Sequence, residues 1–349
     1  MKKSPKKVIS LGDIAIAAGV SRMTVSFALR NRPEVSEKTR QKISRIAKKL
    51  GYIPDARLAL RMQQVRDTKS RERLPIAWLD LNEEKGVWRT GKSSTPYLLG
   101  ARQQCEALGY ELQEFWLREP GMNPRRISQI LYHRGIQGLI IAPPAHLGLT
   151  HLQLDWKFMA TATFEKALIA PRMHRVAQDH YYNMMLALKL LRRFGYQRIG
   201  VVLQQQANRR SYHSQQAAVG YFHSTLPKAS RIPSMVHIYA EIAGKEFHTW
   251  FEKYRPDVIV AQHSLVPDWV RSAGFKVPED VGVVHLSLDD DCLDWAGIYS
   301  RKKDIGAATA NIVISLLQNN QLGLPKVPMD TLVQGHWQVG KTLLIPKPK

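Results

Sequence analysis

"SRMTVSFALRN", residues 21–31, reads as a helix with more apolar residues than one buried face requires. On a 3.6-residue turn, Thr24, Val25, Ala28 and Leu29 fall on one face, while Arg22, Met23, Ser26, Phe27 and Arg30 fall on the other. If the first face is packed, the second carries Met and Phe between arginines on what should be a wet surface. Two readings compete. Met23 and Phe27 are either the far side of a small core, or the apolar part of a surface that meets another molecule.

The flanking residues place this helix in the middle of three. Ser10 followed by Asp13 forms an acidic capping box that opens "LGDIAIAAG", with Gly19 at its end. Ser21 caps the helix under discussion, which runs to about Arg30; "NRPEV" breaks the chain at Pro33, and Ser36 caps a third helix ending at Gly51. In that third helix Ile43, Ile46, Ala47 and Leu50 have the spacing of a buried face. The short glycine-bearing link "AGVS" between the first two is what a helix-turn-helix requires. A fourth short helix can follow Pro54 in "YIPDARLALRMQQ", and the wholly polar "RDTKSRER", residues 66–73, reads as a linker.

Charge separates the two readings. The 349-residue chain has ordinary globular fractions, 44% hydrophobic and 23% charged, but a net charge of +22. Residues 1–73 hold 19 Lys+Arg against 6 Asp+Glu, so a fifth of the chain carries +13 of that excess. Such asymmetry points to a nucleic-acid arm or domain, with an anionic membrane surface as the other polyanion and a solvated basic face as the plainer alternative. The glycine turn and the capped third helix beside it favour DNA. An Arg on the outer face can bond guanine O6 and N7, and apolar tips such as Met23 and Phe27 can touch a thymine methyl. Ser21, Thr24 and Ser26 are placed to meet phosphates, aided by the helix N-terminus. The expected DNA contact set is Ser10, Leu11, Ser21, Arg22, Met23, Thr24, Ser26, Phe27, Arg30 and Asn31.

From Pro75 the pattern changes to strands alternating with helices. "IAWLDL", "YELQEFWL", "GLIIAP", "KFMATA", "RIGVVL", "MVHIYA", "DVIVAQ" and "DVGVVHLSL" are the expected strands. Helical stretches such as 97–108, 181–194, 213–224 and 306–318 lie between them. That alternation implies doubly wound parallel sheets. Cys105 and Cys292 stand alone, without a CxxC pair, so neither a disulfide framework nor a zinc site is expected. "MKKSPKKVISLGDIAIAAGV" begins like a signal peptide, but Asp13 interrupts its apolar stretch, and no run reaches membrane-spanning length. A cytoplasmic location without membrane attachment is the expectation.

Residues 9–55, "ISLGDIAIAAGVSRMTVSFALRNRPEVSEKTRQKISRIAKKLGYIPD", closely resemble the headpiece of the lactose-repressor (LacI/GalR) family. The family pattern is T-x-x-D-[IV]-A-x-x-A-G-V-S-x-x-T-V-S-x-x-L-N, then V-S-x-x-T-R-x-x-[IV], then L-G-Y-x-P-[ND], and nearly every fixed position is matched. The resemblance implies that bases are read from the two positions after the serine of "GVS" and the one after "TVS". Those are Arg22, Met23 and Phe27. The last is often Arg in the family, so Phe27 implies a different operator. The family's hinge helix has Ala and Leu four and seven residues after the proline, where this chain has Leu58 and Arg61, with Leu60 and Met62 beside them. Arg57, Leu58, Arg61 and Met62 are the expected hinge and minor-groove set, with an apolar wedge as the physical means.

The remainder resembles the family's effector domain through "GARQQCEALGYEL", "GLIIAP", "LLRRFGYQRIGVV" and "VPEDVGVV". That resemblance implies a periplasmic-binding-protein-like α/β domain of two doubly wound parallel-sheet subdomains, behind a small all-α helix-turn-helix headpiece. The chain would cross between the subdomains and return near its end. A small ligand would sit in the cleft, at the C-terminal ends of the strands. The expected boundaries are 8–55 for the headpiece, 56–73 for hinge and linker, and 74–345 for the effector-binding and dimerisation domain.

For the ligand, Asp179 matches the family's cleft aspartate. The cleft arginine would fall on Ala217, leaving Arg209 and Arg210 as substitutes. "VVHLSLDDD" holds the place of a "VVG[FY]D" motif, with the count landing on Ser287 rather than Asp289. Tyr97, Trp269 and Trp295 are aromatics that could stack on a sugar, and the expected effector set is Tyr97, Asp179, Arg209, Arg210, Gln262, Trp269, Ser287 and Asp289. Asp289–Asp291 resemble a metal cluster, but a solvated loop is the commoner outcome, and no metal or cofactor is expected. The implied function is a homodimeric regulator, a repressor by expectation, binding double-stranded operator DNA under control of a small effector. A sugar is the family-level expectation for that effector and a nucleobase the alternative. A DNA-processing enzyme would need a nucleophile or acidic metal site; no Ser-His-Asp spacing, P-loop or convincing acidic pair supplies one. A transport receptor is opposed by the headpiece.

Overall fold

A computed structural model describes residues 9–29, 34–52, 73–91, 94–144, 150–237, 243–292 and 294–345. Arg30, Asn31 and the expected hinge set Arg57, Leu58, Arg61 and Met62 lie outside the described residues.

The headpiece contains α1 (Leu11–Ala18), α2 (Arg22–Leu29) and α3 (Glu37–Leu50). Each begins at the cap its sequence advertises. Ser10 Oγ accepts from Asp13 N while the Asp13 carboxylate accepts from Ser10 N at 2.8 Å. Ser21 Oγ accepts from Thr24 N at 3.0 Å, and Ser36 does the same for Thr39 N at 3.4 Å. Gly19 and Gly51, at φ 68 and 71, end α1 and α3 in the left-handed conformation that glycine adopts without strain. The axes of α1 and α2 differ by 104°, the crossing of a helix-turn-helix. Ile14, Ala18, Val25, Ala28, Ile43 and Ala47 form the core. Of the face predicted as packed, Val25 and Ala28 are buried, whereas Thr24 and Leu29 are half-buried.

The body holds two six-stranded sheets. The first contains β1 (Leu74–Asp80), β2 (Tyr110–Trp116), β3 (Gly138–Ala142), β5 (Ala160–Phe164), β7 (His174–Gln178) and β13 (Asp330–Val333). They lie in the order β13-β7-β5-β3-β1-β2, all parallel. The second contains β8 (Ile199–Gln204), β9 (Met235–His237), β10 (Val258–Ala261), β11 (Gly282–Leu288), β12 (Ala296–Tyr299) and β14 (His336–Gln338). Its order is β14-β12-β11-β10-β8-β9, with only β14 antiparallel. A two-stranded ribbon, β4 (Thr150–His151) with β6 (Leu168–Ala170), flanks the first sheet.

Helices cover both faces of each sheet, as buried parallel strands demand. In chain order they are α4 (Val87–Thr90), α5 (Thr95–Ala107), α6 (Pro124–His133), α7 (His180–Arg193), α8 (Gln205–Arg210), α9 (Ser214–Ser224), α10 (Ala243–Tyr254), α11 (Val266–Ser272) and α12 (Lys302–Gln318). On the first sheet α5 and α12 pack one face and α6 the other. The first two touch backbone to backbone: a Cβ on Gly100 would lie 1.9 Å from the Lys303 carbonyl oxygen, and one on Gly306 would lie 2.0 Å from that of Tyr97. On the second sheet α7 and α9 cover one face, α10 and α11 the other.

The chain passes between the subdomains three times: from β7 to α7 at Asp179, from β12 to α12 at Ser300, and from β13 to β14 at Gly335. The crossings are tied to one another and to the second sheet. Asp179 N donates to Val333 O, and Gly335 N to Asn183 Oδ1, each at 2.9 Å. Ser300 bonds Leu288 O through both its N and its Oγ.

Two local expectations need correction. In "KFMATA" the first residues form a short 3-10 turn, Trp156–Phe158, and the strand begins only at Ala160. Asp289 is not part of a solvated loop: it is buried against Lys302, Nζ to Oδ2 2.7 Å. No cluster of metal-ligating side chains occurs among the described residues, and no single described helix is long and apolar enough to cross a membrane.

Candidate nucleic-acid interface and ligand cleft

On the outer side of α2, Ser21, Arg22 and Met23 are exposed, Met23 by 66%. Most of that side chain is uncovered among the described residues. Phe27 differs from the expectation: it is half-buried, packed against the headpiece core although its helical position lies away from Val25. Ser26 and Thr24 are likewise half-buried, and Thr24 Oγ1 pairs with Ser21 Oγ at 2.9 Å. Arg22 lies back over Gly12 of α1, where a Cβ would come within 2.8 Å of its Nη2. Ser10 is engaged as the α1 cap, and Leu11 packs partly on the core. Lys42 Nζ donates to the free carbonyl of Ala18 at 3.0 Å, closing the C-terminus of α1.

The C-terminal ends of the strands in both sheets converge where the chain crosses, and titratable groups gather there. On the first subdomain, Trp78, Trp88, Tyr97 and Phe164 form a buried aromatic wall, with Tyr97 stacked on Phe164 at 4.9 Å. Asp80 accepts from Asn82 N, Asn82 Nδ2 and Trp88 Nε1, while burial pushes its carboxyl up. Next to the wall, Tyr97 O–H donates to Glu165 Oε1 at 3.0 Å, and Glu165 Oε2 lies 3.4 Å from His180 Nε2. Burial pushes the Glu165 carboxyl up, but His180, Tyr97 and Arg210 outweigh it and hold it below the usual range.

On the second subdomain Gln262 is committed at both ends, donating to Gln215 Oε1 at 2.5 Å and accepting from Gln204 N at 3.2 Å. Arg210, half-buried at the end of α8, faces Glu165 and Tyr97 across the cleft; burial pulls its pKa down and those two groups oppose the fall. Lys166 Nζ sits 5.1 Å from the centre of the Tyr212 ring, a second contact between the walls. His285 accepts from Ser287 N at its Nδ1, and burial, then Lys302, press its pKa down to about 4.

Among the expected effector residues, the structure therefore brings Tyr97, Asp179 and Arg210 to the cleft. Asp179 caps α7, its Oδ1 accepting from Tyr182 N at 2.9 Å. Arg209 is exposed. Trp269 needs correction as a stacking surface: it is buried in the core of the second subdomain, 5.4 Å from Phe247 and parallel to His263. Asp289 is paired with Lys302, so its carboxylate is already satisfied, and Ser287 is half-buried beside His285.

Residues 10–55 match the family model described as "Bacterial regulatory proteins, lacI family". Residues 10–55 are a lacI-family headpiece. This headpiece makes the chain a DNA-binding transcriptional regulator, and regulators of this family are not enzymes. Solved structures share the fold along most of the chain. A CelR–cellobiose complex is 17% identical at TM-score 0.55, covering 96% of this chain and 99% of the other. A lac repressor dimer bound to operator and the anti-inducer ONPF is 17% identical at 0.54, covering 97% and 100%. A LacI family regulator from Enterococcus faecium with bound ribose is 13% identical at 0.53, covering 78% and 100%. Among curated proteins there is no significant match.

The lacI-family resemblance did not disclose Glu165, Gln178, His180 or Lys302. Gln178 and His180 flank Asp179 in "VAQDHYYN" and were within reach of a reading centred on that aspartate. Glu165 had no local signal. Its partners come from positions 97, 178, 180 and 210, and only the fold assembles them.

Proposed function

We propose that this chain is a lacI-family repressor that grips a near-palindromic operator as a homodimer and is controlled by a small hydroxylated ligand, a sugar by class, in the cleft. The observation that carries the DNA half is the outer side of α2: a capped helix presenting Arg22 beside an uncovered Met23, on the most basic part of the chain. Arg22 and Met23 read bases, Phe27 contributes its exposed edge, and Ser21 holds a phosphate. The working boundaries are residues 8–55 for the headpiece, 56–73 for the link and 74–345 for effector binding and dimerisation.

The cleft supports the effector half. Three crossings connect two subdomains, each with its own core, so a ligand that prefers one relative setting shifts the whole domain toward it. Aromatic rings and amides line the cleft, the mixture that hydroxyl-rich ligands need. The complexes with cellobiose and ribose support a sugar on a shared fold. By linkage, effector and operator alter each other's affinity by the same factor.

The test selects operators from random DNA with the full chain, then measures anisotropy of the selected site during a sugar screen. A palindromic site whose affinity shifts at least tenfold with one sugar supports the reading. Binding without sequence preference overturns it.

A further inference from the structure

Glu165 follows β5 with a left-handed backbone, φ 51, a conformation that costs free energy in a residue with a side chain. The strain turns its carboxylate into the cleft, where the side chain is 14% exposed. Every group that meets it is a donor. Oε1 receives Tyr97 O–H at 3.0 Å and Gln178 N–H at 3.4 Å; Oε2 lies 3.4 Å from His180 Nε2. The Arg210 guanidinium faces the same carboxylate from the other subdomain.

The opposing wall is strained as well. Tyr212 and His213, at φ 52 and 58, are consecutive left-handed residues in the turn that follows Arg210, the last residue of α8. That turn is braced from inside: Asn208 O accepts from His213 N at 2.8 Å, and Asn208 Nδ2 donates to Gln216 Oε1 at 2.8 Å. A left-handed residue on one wall thus carries the carboxylate, and the guanidinium at the end of α8 faces it from the other. A ring of donors in a largely dry place is a receptor for an anion, and bonds from charged donors to a carboxylate are the strong kind.

We propose that this point is a carboxylate receptor, and that Glu165 occupies it in place of the acid group of the true effector, a small hydroxylated carboxylate of the sugar-acid class. When the subdomains part, Glu165 swings out toward water and the ligand's carboxylate takes its place against Tyr97, His180 and Arg210. A neutral sugar brings no group that balances Arg210 once Glu165 has left. The inference rests on the reading of the cleft as the effector site, and it narrows that site's ligand class.

Two arms test it, both on the full chain. In the first, Glu165→Ala is melted with acetate or acetamide, ionic strength being held with sodium chloride; far-UV circular dichroism confirms that the variant is folded. Acetate raises its melting temperature by about 3 °C or more beyond acetamide and leaves wild type nearly unmoved. In the second, wild type is melted with D-galacturonate against D-galactose and D-gluconate against D-glucose, and an acid member gives the larger shift. Arg210→Met abolishes that shift. If Glu165→Ala does not fold, the second arm decides alone. Equal effects of acetate and acetamide, or a neutral sugar that binds where the acids do not, overturn the proposal; the second result leaves the cleft as the effector site. No effect in either arm removes both.

Discussion

Lys302 Nζ lies 2.7 Å from Asp289 Oδ2, with both side chains nearly sealed from water, and the pair joins the start of α12 on the first subdomain to the end of β11 on the second. Desolvating two charges is costly, and their attraction offsets that cost only while both are present. Asp289→Asn leaves a buried ammonium without its counter-charge. The expected loss is about 3–5 kcal/mol of unfolding free energy, read from urea titration. Asp289→Asn combined with Lys302→Met recovers much of it. A loss under about 1 kcal/mol in the single variant would show that the pair is not desolvated in solution.

The headpiece prediction concerns discrimination rather than raw affinity. Arg22→Ala removes the one guanidinium on the described outer side of α2. It is expected to cost about 1–3 kcal/mol on the selected operator, tenfold to over a hundredfold, and far less on random DNA. Met23→Ala relaxes preference at one base pair with little change in the salt slope. Anisotropy on operator and scrambled duplexes at several salt concentrations separates the two effects, and equal losses on both duplexes would assign Arg22 to the phosphates.

The two halves of the chain differ in how much a linear reading discloses, and the reason is contact distance. The headpiece is held by caps three residues apart, Ser10 with Asp13, Ser21 with Thr24 and Ser36 with Thr39, so its helices, turn and outer face are written locally. Phe27 marks the limit there: a helical wheel gives its angle but not how far the core reaches around it. The parallel sheets were legible from alternation alone. The cleft was not, because Tyr97 and Glu165 are 68 positions apart, Tyr97 and Gln178 are 81 apart, and Asp289 needs Lys302 across a crossing. Trp269 looked like a stacking surface because composition cannot tell which face of a short helix turns inward.

Asp179 has two candidate duties, and substitutions can divide them. Its Oδ1 caps α7 through Tyr182 N, and its backbone N–H binds Val333 O across two crossings. Asp179→Ala loses the cap and is expected to cost about 1 kcal/mol. Asp179→Asn and Asp179→Ser keep a capping oxygen and lose the charge, so their stability stays within about 0.5 kcal/mol of wild type. If Asp179 also touches the effector, the ligand-induced melting shift falls in all three variants. A shift that falls only in Asp179→Ala would mean that the residue acts through the helix.

Stability should depend on acid in a window set by His285. Burial, with Lys302 adding to it, holds its folded pKa at about 4 against an ordinary 6.5, so the imidazole is neutral when folded. Between those two values the unfolded chain binds a proton that the folded chain refuses, and linkage then makes stability fall as pH is lowered. The structural reason is visible: Nδ1 accepts from Ser287 N at 3.1 Å, and a proton placed there would break that bond and set a charge beside Lys302. The full window is worth up to about 3 kcal/mol. Glu165, whose folded pKa is depressed, adds a loss of the same sign once pH drops below the ordinary carboxylate range. Urea midpoints from pH 7 to pH 4 test this against His285→Gln, which keeps an acceptor but cannot take up the proton. The variant's curve should be flatter over that range, and parallel curves would place the acid-sensitive group elsewhere.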